Sequence, residues 1–185
     1  MKLADFFKNS FIRFCFIFGI TFLLLYFGLK FMTGITVPGG MYSPFLTKYF
    51  NITAWFRSFL MISSKWFLSI LGTETIRIDE YVLRAVNGRG IRIVYACLGF
   101  AVLSFWSAYI IATKTILSKK IYWLLVGLIT ICIINVVRIS LVLLAGNAGW
   151  KFPFGWDHHT WFNIIAYLAI FIMMFLFEKN IKKSS

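Results

Sequence analysis

The stretch IYWLLVGLITICIINVVRISLVLLA, residues 121–145, decides the fold, and its one charged side chain, Arg138, opens the question of function. About 20 apolar residues in helical form cross the hydrocarbon core of a bilayer, so 121–145 is predicted to span. A guanidinium within such a span costs about 2.5–3.5 kcal/mol on insertion scales and faces a partner or a wet cavity. Arg138 stands seven residues before Ala145, about 10 Å along the helix axis.

Working outward, three more apolar runs appear, at 11–31, 94–113 and 161–177. The chain has 185 residues, 61% of them hydrophobic and 14% charged, against about 25% charged in a soluble domain. A soluble fold of this size has too little interior to hide that apolar surface. The prediction is an all-α integral membrane protein, a single membrane domain over 1–185 with about four transmembrane helices. Three cysteines are too few for a disulfide scaffold. The net charge of +13 is dispersed between the apolar runs, which argues for membrane topology and against a nucleic-acid partner.

The charges also set an orientation. Lys2, Lys8 and Arg13, then Lys114, Lys119 and Lys120, then Lys179, Lys182 and Lys183 flank one side of a four-span arrangement, whereas the short loop 146–160 holds only Lys151. By the positive-inside rule both termini are cytoplasmic and 32–93 is extracytoplasmic. The run at 11–31 follows basic residues, as a signal peptide does. Its length and the lack of an A-x-A-like site at Met32-Thr33-Gly34-Ile35 favour an uncleaved anchor.

Within the outer segment, residues 32–53 read as a loop, with Gly34, Pro38, Gly39, Gly40 and Pro44 as breakers. Ala54–Leu71 is apolar and aromatic but carries Arg57 and Lys65, about 80° apart on a helical wheel. That pattern predicts an interfacial or re-entrant helix on the outer face. Thr75–Tyr81 alternates Ile76 and Ile78 with Arg77 and Asp79, and an Asn87-Gly88 turn leads to Ile91–Val94. These predict a small β-hairpin.

On that map three reactive side chains meet at the outer face. Cys97 begins the second span, Arg138 lies in the third, and His158 and His159, the only histidines, open the fourth. Each has a structural explanation alone: Cys15 and Cys132 read as apolar filler, as a lone Cys97 would. Asn135, one turn from Arg138, suits an interhelical hydrogen bond or support of the guanidinium. Together they form an acyl-transfer set: a thiolate nucleophile, an imidazole acid–base and a guanidinium for the oxyanion. One Cys and two adjacent His lack the spacing of a zinc site, and neither a phosphate loop nor a Ser-centred elbow is present. No metal or cofactor is expected.

Cys97-Leu98-Gly99, Asn135-x-x-Arg138 followed by Ile139, and a His at the head of the last helix resemble the exosortase/archaeosortase family over roughly residues 54–177. Leu98 stands where that family often has Ser, and this chain is shorter at its N-terminus than many members. The resemblance implies a multi-spanning cysteine transpeptidase of the bacterial inner membrane. Cys97 would be its nucleophile, Arg138 its oxyanion and positioning group, and His159 its acid–base, with Asn135 and Gly99 in support. His159 is preferred because Asn163 follows four residues later, and His158 is the substitute. The implied partner, besides membrane lipid, is an exported protein ending in a short motif, an apolar helix and a basic tail. Two rivals stand beside it: a non-enzymatic scaffold for a surface-export or polysaccharide system, and a lipid-phosphate enzyme that uses Arg138 and His without Cys97.

Overall fold

Helix α1 runs Ser10–Thr36 from an Asn9 cap whose side chain accepts from Phe11 N–H at 3.0 Å. The structure is a computed structural model that describes residues 9–37, 41–150, 155 and 158–182, except for the side chains of residues 158 and 159. Gly34 does not end α1. The hydroxyls of Thr33 and Thr36 donate back to the carbonyls of Leu29 and Met32, at 2.9 and 2.8 Å, keeping those polar groups inside the helix.

The expected loop at 32–53 is therefore largely helical. Ser43 caps α2, Pro44–Phe50, with proline at its start, where it has no intrahelical N–H to lose. Asn51 caps α3, Ile52–Ile70, accepting from Ala54 N–H at 3.0 Å. Ser-Pro and Asn act here as helix starts, a role that a breaker reading assigns to the wrong side of the boundary.

Helix α3 buries Leu60, Met61, Ser64 and Leu68, and its outer stripe of Trp55, Phe59, Ile62, Trp66 and Ile70 stays exposed. Its polar face differs from the expectation. Lys65 is exposed, but Arg57 is only 4% exposed, its guanidinium 4.1 Å from the centre of the Tyr81 ring. Attraction to the ring's negative face draws this cation inward.

The hairpin is a three-stranded antiparallel sheet, β1 Thr75–Arg77, β2 Val82–Ala85 and β3 Gly90–Arg92, in that order. The Asn87-Gly88 turn joins β2 to β3, with Leu83 opposite Ile91. An earlier reversal splits the expected first strand: the Asp79 carboxylate accepts from the backbone N–H of Tyr81 and Val82, at 2.6 and 2.8 Å. This side-chain-to-backbone turn competes with extended structure.

The expected second span, 94–113, is also broken. Tyr95–Leu98 forms a 3₁₀ turn, Gly99 adopts φ +71°, and only Phe100–Ala112 continues as helix α4. Four residues of 3₁₀ and 13 of α-helix rise about 27 Å in all. The remaining helices overrun their predicted limits: α5 is Leu117–Ala148 and α6 is His158–Lys182. Among the described residues, three helices are long and apolar enough to cross a membrane, within α1, α5 and α6; α4 alone is too short. The chain is thus an all-α membrane protein with a small sheet.

α1 packs along α4, and α5 packs against α3, α4 and α6. Gly127 of α5 is covered by the Trp106 indole, whose Nε1–H donates to the carbonyl of Trp123 at 3.1 Å. Two cores result. One, around Leu60, Leu83, Ile93, Leu98 and Ile139, joins α3, the sheet and α5 and contains Cys97; the other surrounds Trp106 and Phe177 at the opposite end.

Candidate active site

The Cys97 turn is fixed from two sides. Cys97 N–H donates to Val94 O at 2.9 Å within the turn, and the Ile93 N–H donates to Tyr81 O at 2.7 Å, tying the chain before it to the sheet. From α5, the Asn135 Nδ2 donates to Leu98 O at 3.2 Å. Further along α5, Asn147 accepts from Arg89 N–H at 2.6 Å and donates to Arg89 O at 3.2 Å. One helix therefore carries Arg138 and holds both the sheet and the turn in register with it.

Asn135, Arg138, Ile139 and Val142 are spaced by three and four residues and share one helical face. Cys97 is 7%, Asn135 6% and Arg138 8% exposed. Cys97 and Arg138 line one cleft of about 90 Å³ together with Ile91, Arg92, Val94 and Val142. The guanidinium of Arg138 also lies 5.8 Å from the ring centre of Phe162 on α6. Two of the three expected groups, from different elements, thus share a cleft.

The histidines are placed by backbone alone. α6 begins at His158, one turn before Phe162 and Asn163, which line a neighbouring cavity with Arg138. The side chains of His158 and His159 lie outside the described residues. Cys15 is exposed and Cys132 half-buried, both free thiols. Among the described residues, no three His, Cys, Asp or Glu side chains gather as a metal site.

Sequence reasoning missed Arg92 and Tyr95. Arg92 reaches the cleft because β3 runs directly into the Cys97 turn; its guanidinium lies 5.2 Å from the Tyr81 ring, on which Arg57 also sits. Only the pairing of β3 with β2 could have signalled it. Tyr95 was visible two residues before the cysteine, but a continuous helix in place of the 3₁₀ turn would have aimed it elsewhere.

Chemically, a buried thiol beside a buried guanidinium, at the N-terminal end of a helix, is equipped for negative charge developing on an attacked carbonyl. A comparison with family models matches residues 3–176 to the transmembrane exosortases. No curated protein and no solved structure matches the chain.

Proposed function

The chain belongs to the transmembrane exosortase family, and from that premise we propose that it processes C-terminal sorting signals on exported proteins by cysteine acyl transfer at the outer face of the bacterial inner membrane. The observation that carries this reading is the cleft shared by Cys97 and Arg138. Its substrate ends in a short motif, an apolar helix and a basic tail. With the tail inside and the helix in the bilayer, the motif sits at the level of the cleft.

In the first half-reaction the Cys97 thiol passes its proton to the imidazole as its sulfur attacks the scissile carbonyl carbon. Arg138 stabilises the oxyanion. As the tetrahedral species collapses, the C–N bond breaks and His159, or His158 in its place, gives a proton to the leaving amine. A thioester remains on Cys97. In the second, an acceptor amine or water attacks the thioester and passes its proton to the imidazole; the C–S bond breaks, and that proton returns to the sulfur to regenerate the thiol. Asn135 keeps the Leu98 carbonyl, and so the turn bearing the sulfur, in place during both steps.

The experiment compares the C-termini of exported proteins in cells that carry the wild-type chain or Cys97→Ala. Loss of C-terminal trimming at normal abundance of the variant supports the reading; full trimming overturns it. Labelling of cysteines introduced at positions 88 and 117 tests the orientation: 88 outside and 117 inside.

The exposed stripe Trp55, Phe59, Ile62, Trp66 and Ile70 on α3 favours one rival, a scaffold that offers a partner surface. A scaffold needs no cleft at Cys97, so it predicts a Cys97→Ala protein with full function.

A further inference from the structure

Three cavities stand in a row from the cysteine into the bundle. Arg138 lines the first two, the 90 Å³ cleft of Cys97 and a second of about 290 Å³ that takes in Tyr26, Asn135 and Asn163. The third, of about 360 Å³, lies between Phe22 of α1, Phe105 of α4 and Phe171 of α6. Ala101, Val102 and Tyr167 line the second and third alike, so these two adjoin. The cysteine mechanism uses only the first.

The elements around this row all run the same way. Phe22 to Tyr26 on α1, Phe105 to Ala101 on α4 and Phe171 to Asn163 on α6 each lead from the third cavity to the second. On α4 the next element in that direction is the Cys97 turn. From Phe171 to Phe162 the two cavities extend along about 14 Å of helix. The chemistry changes in step: a thiol and a guanidinium, then amides beside the guanidinium, then a lining with no charged residue among those described.

The walls say what shape of guest fits. Asn163, Tyr167 and Phe171 are exposed and spaced by four on α6, and Phe22 and Tyr26 are spaced by four on α1, with rings stacked 5.8 Å apart. Side chains four apart form a ridge along a helix, and such ridges pack into the grooves of another helix. Between them the floor is low at Ala101, itself exposed, and small residues let helices approach closely within a bilayer. The substrate of the proposed reaction matches the row in order, a motif at the cleft and then an apolar helix.

We propose that the slot between α1 and α6, floored by α4, docks the apolar helix of the substrate and so delivers the motif to Cys97. The proposal rests on the acyl-transfer reading above and adds to it the surface that holds the substrate in the membrane.

The test is Ala101→Phe, which sets a ring on the common floor of the second and third cavities. Its probe is an exported protein whose trimming is lost with Cys97→Ala. The expected result is kcat/KM lowered about tenfold or more, chiefly through KM. Leu24→Phe is the contrast. Leu24 is exposed and lies about 200° round α1 from Phe22, so its enlargement leaves trimming at the wild-type rate. A benzophenone side chain at Phe171, in the Cys97→Ala protein that holds the probe uncut, should crosslink to the probe's apolar helix. The same side chain at Leu24 should not, and this pair decides the matter if Ala101→Phe accumulates poorly. Wild-type KM for Ala101→Phe, or crosslinks from Phe171 to lipid alone, overturns the docking slot and leaves the cysteine reading intact. Full trimming with Cys97→Ala overturns both.

Discussion

A β-carbon placed on Gly99 would lie 2.5 Å from the Asn135 Nδ2, the atom that donates to Leu98 O. The bond that steadies the Cys97 turn therefore exists only because residue 99 has no side chain. Gly99 is needed twice, since its φ of +71° is also unfavourable for any other residue.

Gly99→Ala should lower stability by about 2 kcal/mol or more, through the left-handed backbone and the displaced amide. Thermal unfolding of the purified protein in detergent checks this. A melting temperature equal to wild type would mean that the turn can rebuild itself without Asn135.

Asn135→Ala removes the same bond from the other side, with no change at the backbone. The expected loss is about 1–2 kcal/mol, because the Leu98 carbonyl is left without that donor. Maleimide should alkylate Cys97 faster than in the wild-type protein as the turn loosens. An unchanged alkylation rate would show that the sheet alone holds the turn.

Arg138→Lys retains the charge and loses the planar fork of donors. Trimming should fall about 10²-fold or more, the scale of losing a donor to an oxyanion. Combined with Cys97→Ala, Arg138→Ala should add almost nothing, since members of one catalytic unit fail together. An additive double variant would assign Arg138 a role apart from Cys97.

The sheet carries its own pH dependence. The Asp79 carboxyl is held below its ordinary value of 3.8, first by the N–H of Tyr81 and further by that of Val82 and by Arg92 and Arg77. A lowered folded-state value means that the carboxylate's stabilising contribution is complete above 3.8 and disappears as pH falls through the lowered value. Hydrogen exchange at the Tyr81 and Val82 amides should accelerate, relative to the intrinsic rate, only in that acid window. In Asp79→Asn the window should be absent.

Much of this architecture was legible because long apolar runs and lysine clusters leave few readings. Arg138 announced itself by its cost in an apolar run, and Asn135 by lying one turn away. The break at Leu98-Gly99 was not legible. Hydropathy does not register a left-handed glycine, so 94–113 read as one span and Cys97 as a helical residue. Arg57 was misplaced for a related reason: a helical wheel puts a cation on a polar face, and its partner, Tyr81, is 24 residues away across a sheet whose first turn depends on Asp79. Gly34 and Pro44 do not act as breakers because the Thr33 and Thr36 hydroxyls bond back within α1 and Ser43 caps α2, residues that composition counts as loop.

The unequal helices have a consequence for the lipid around them. α5, at 32 residues, is about 48 Å long, whereas its neighbour α4, at 13, is about 20 Å. No single bilayer thickness matches both, and a short element is accommodated by local thinning. If lipid thins locally around α4, whose N-terminal end carries the Cys97 turn, water comes closer to the thiol than a full span would allow. Access to Cys97, read as its rate of maleimide alkylation, should then vary with the acyl-chain length of the surrounding lipid.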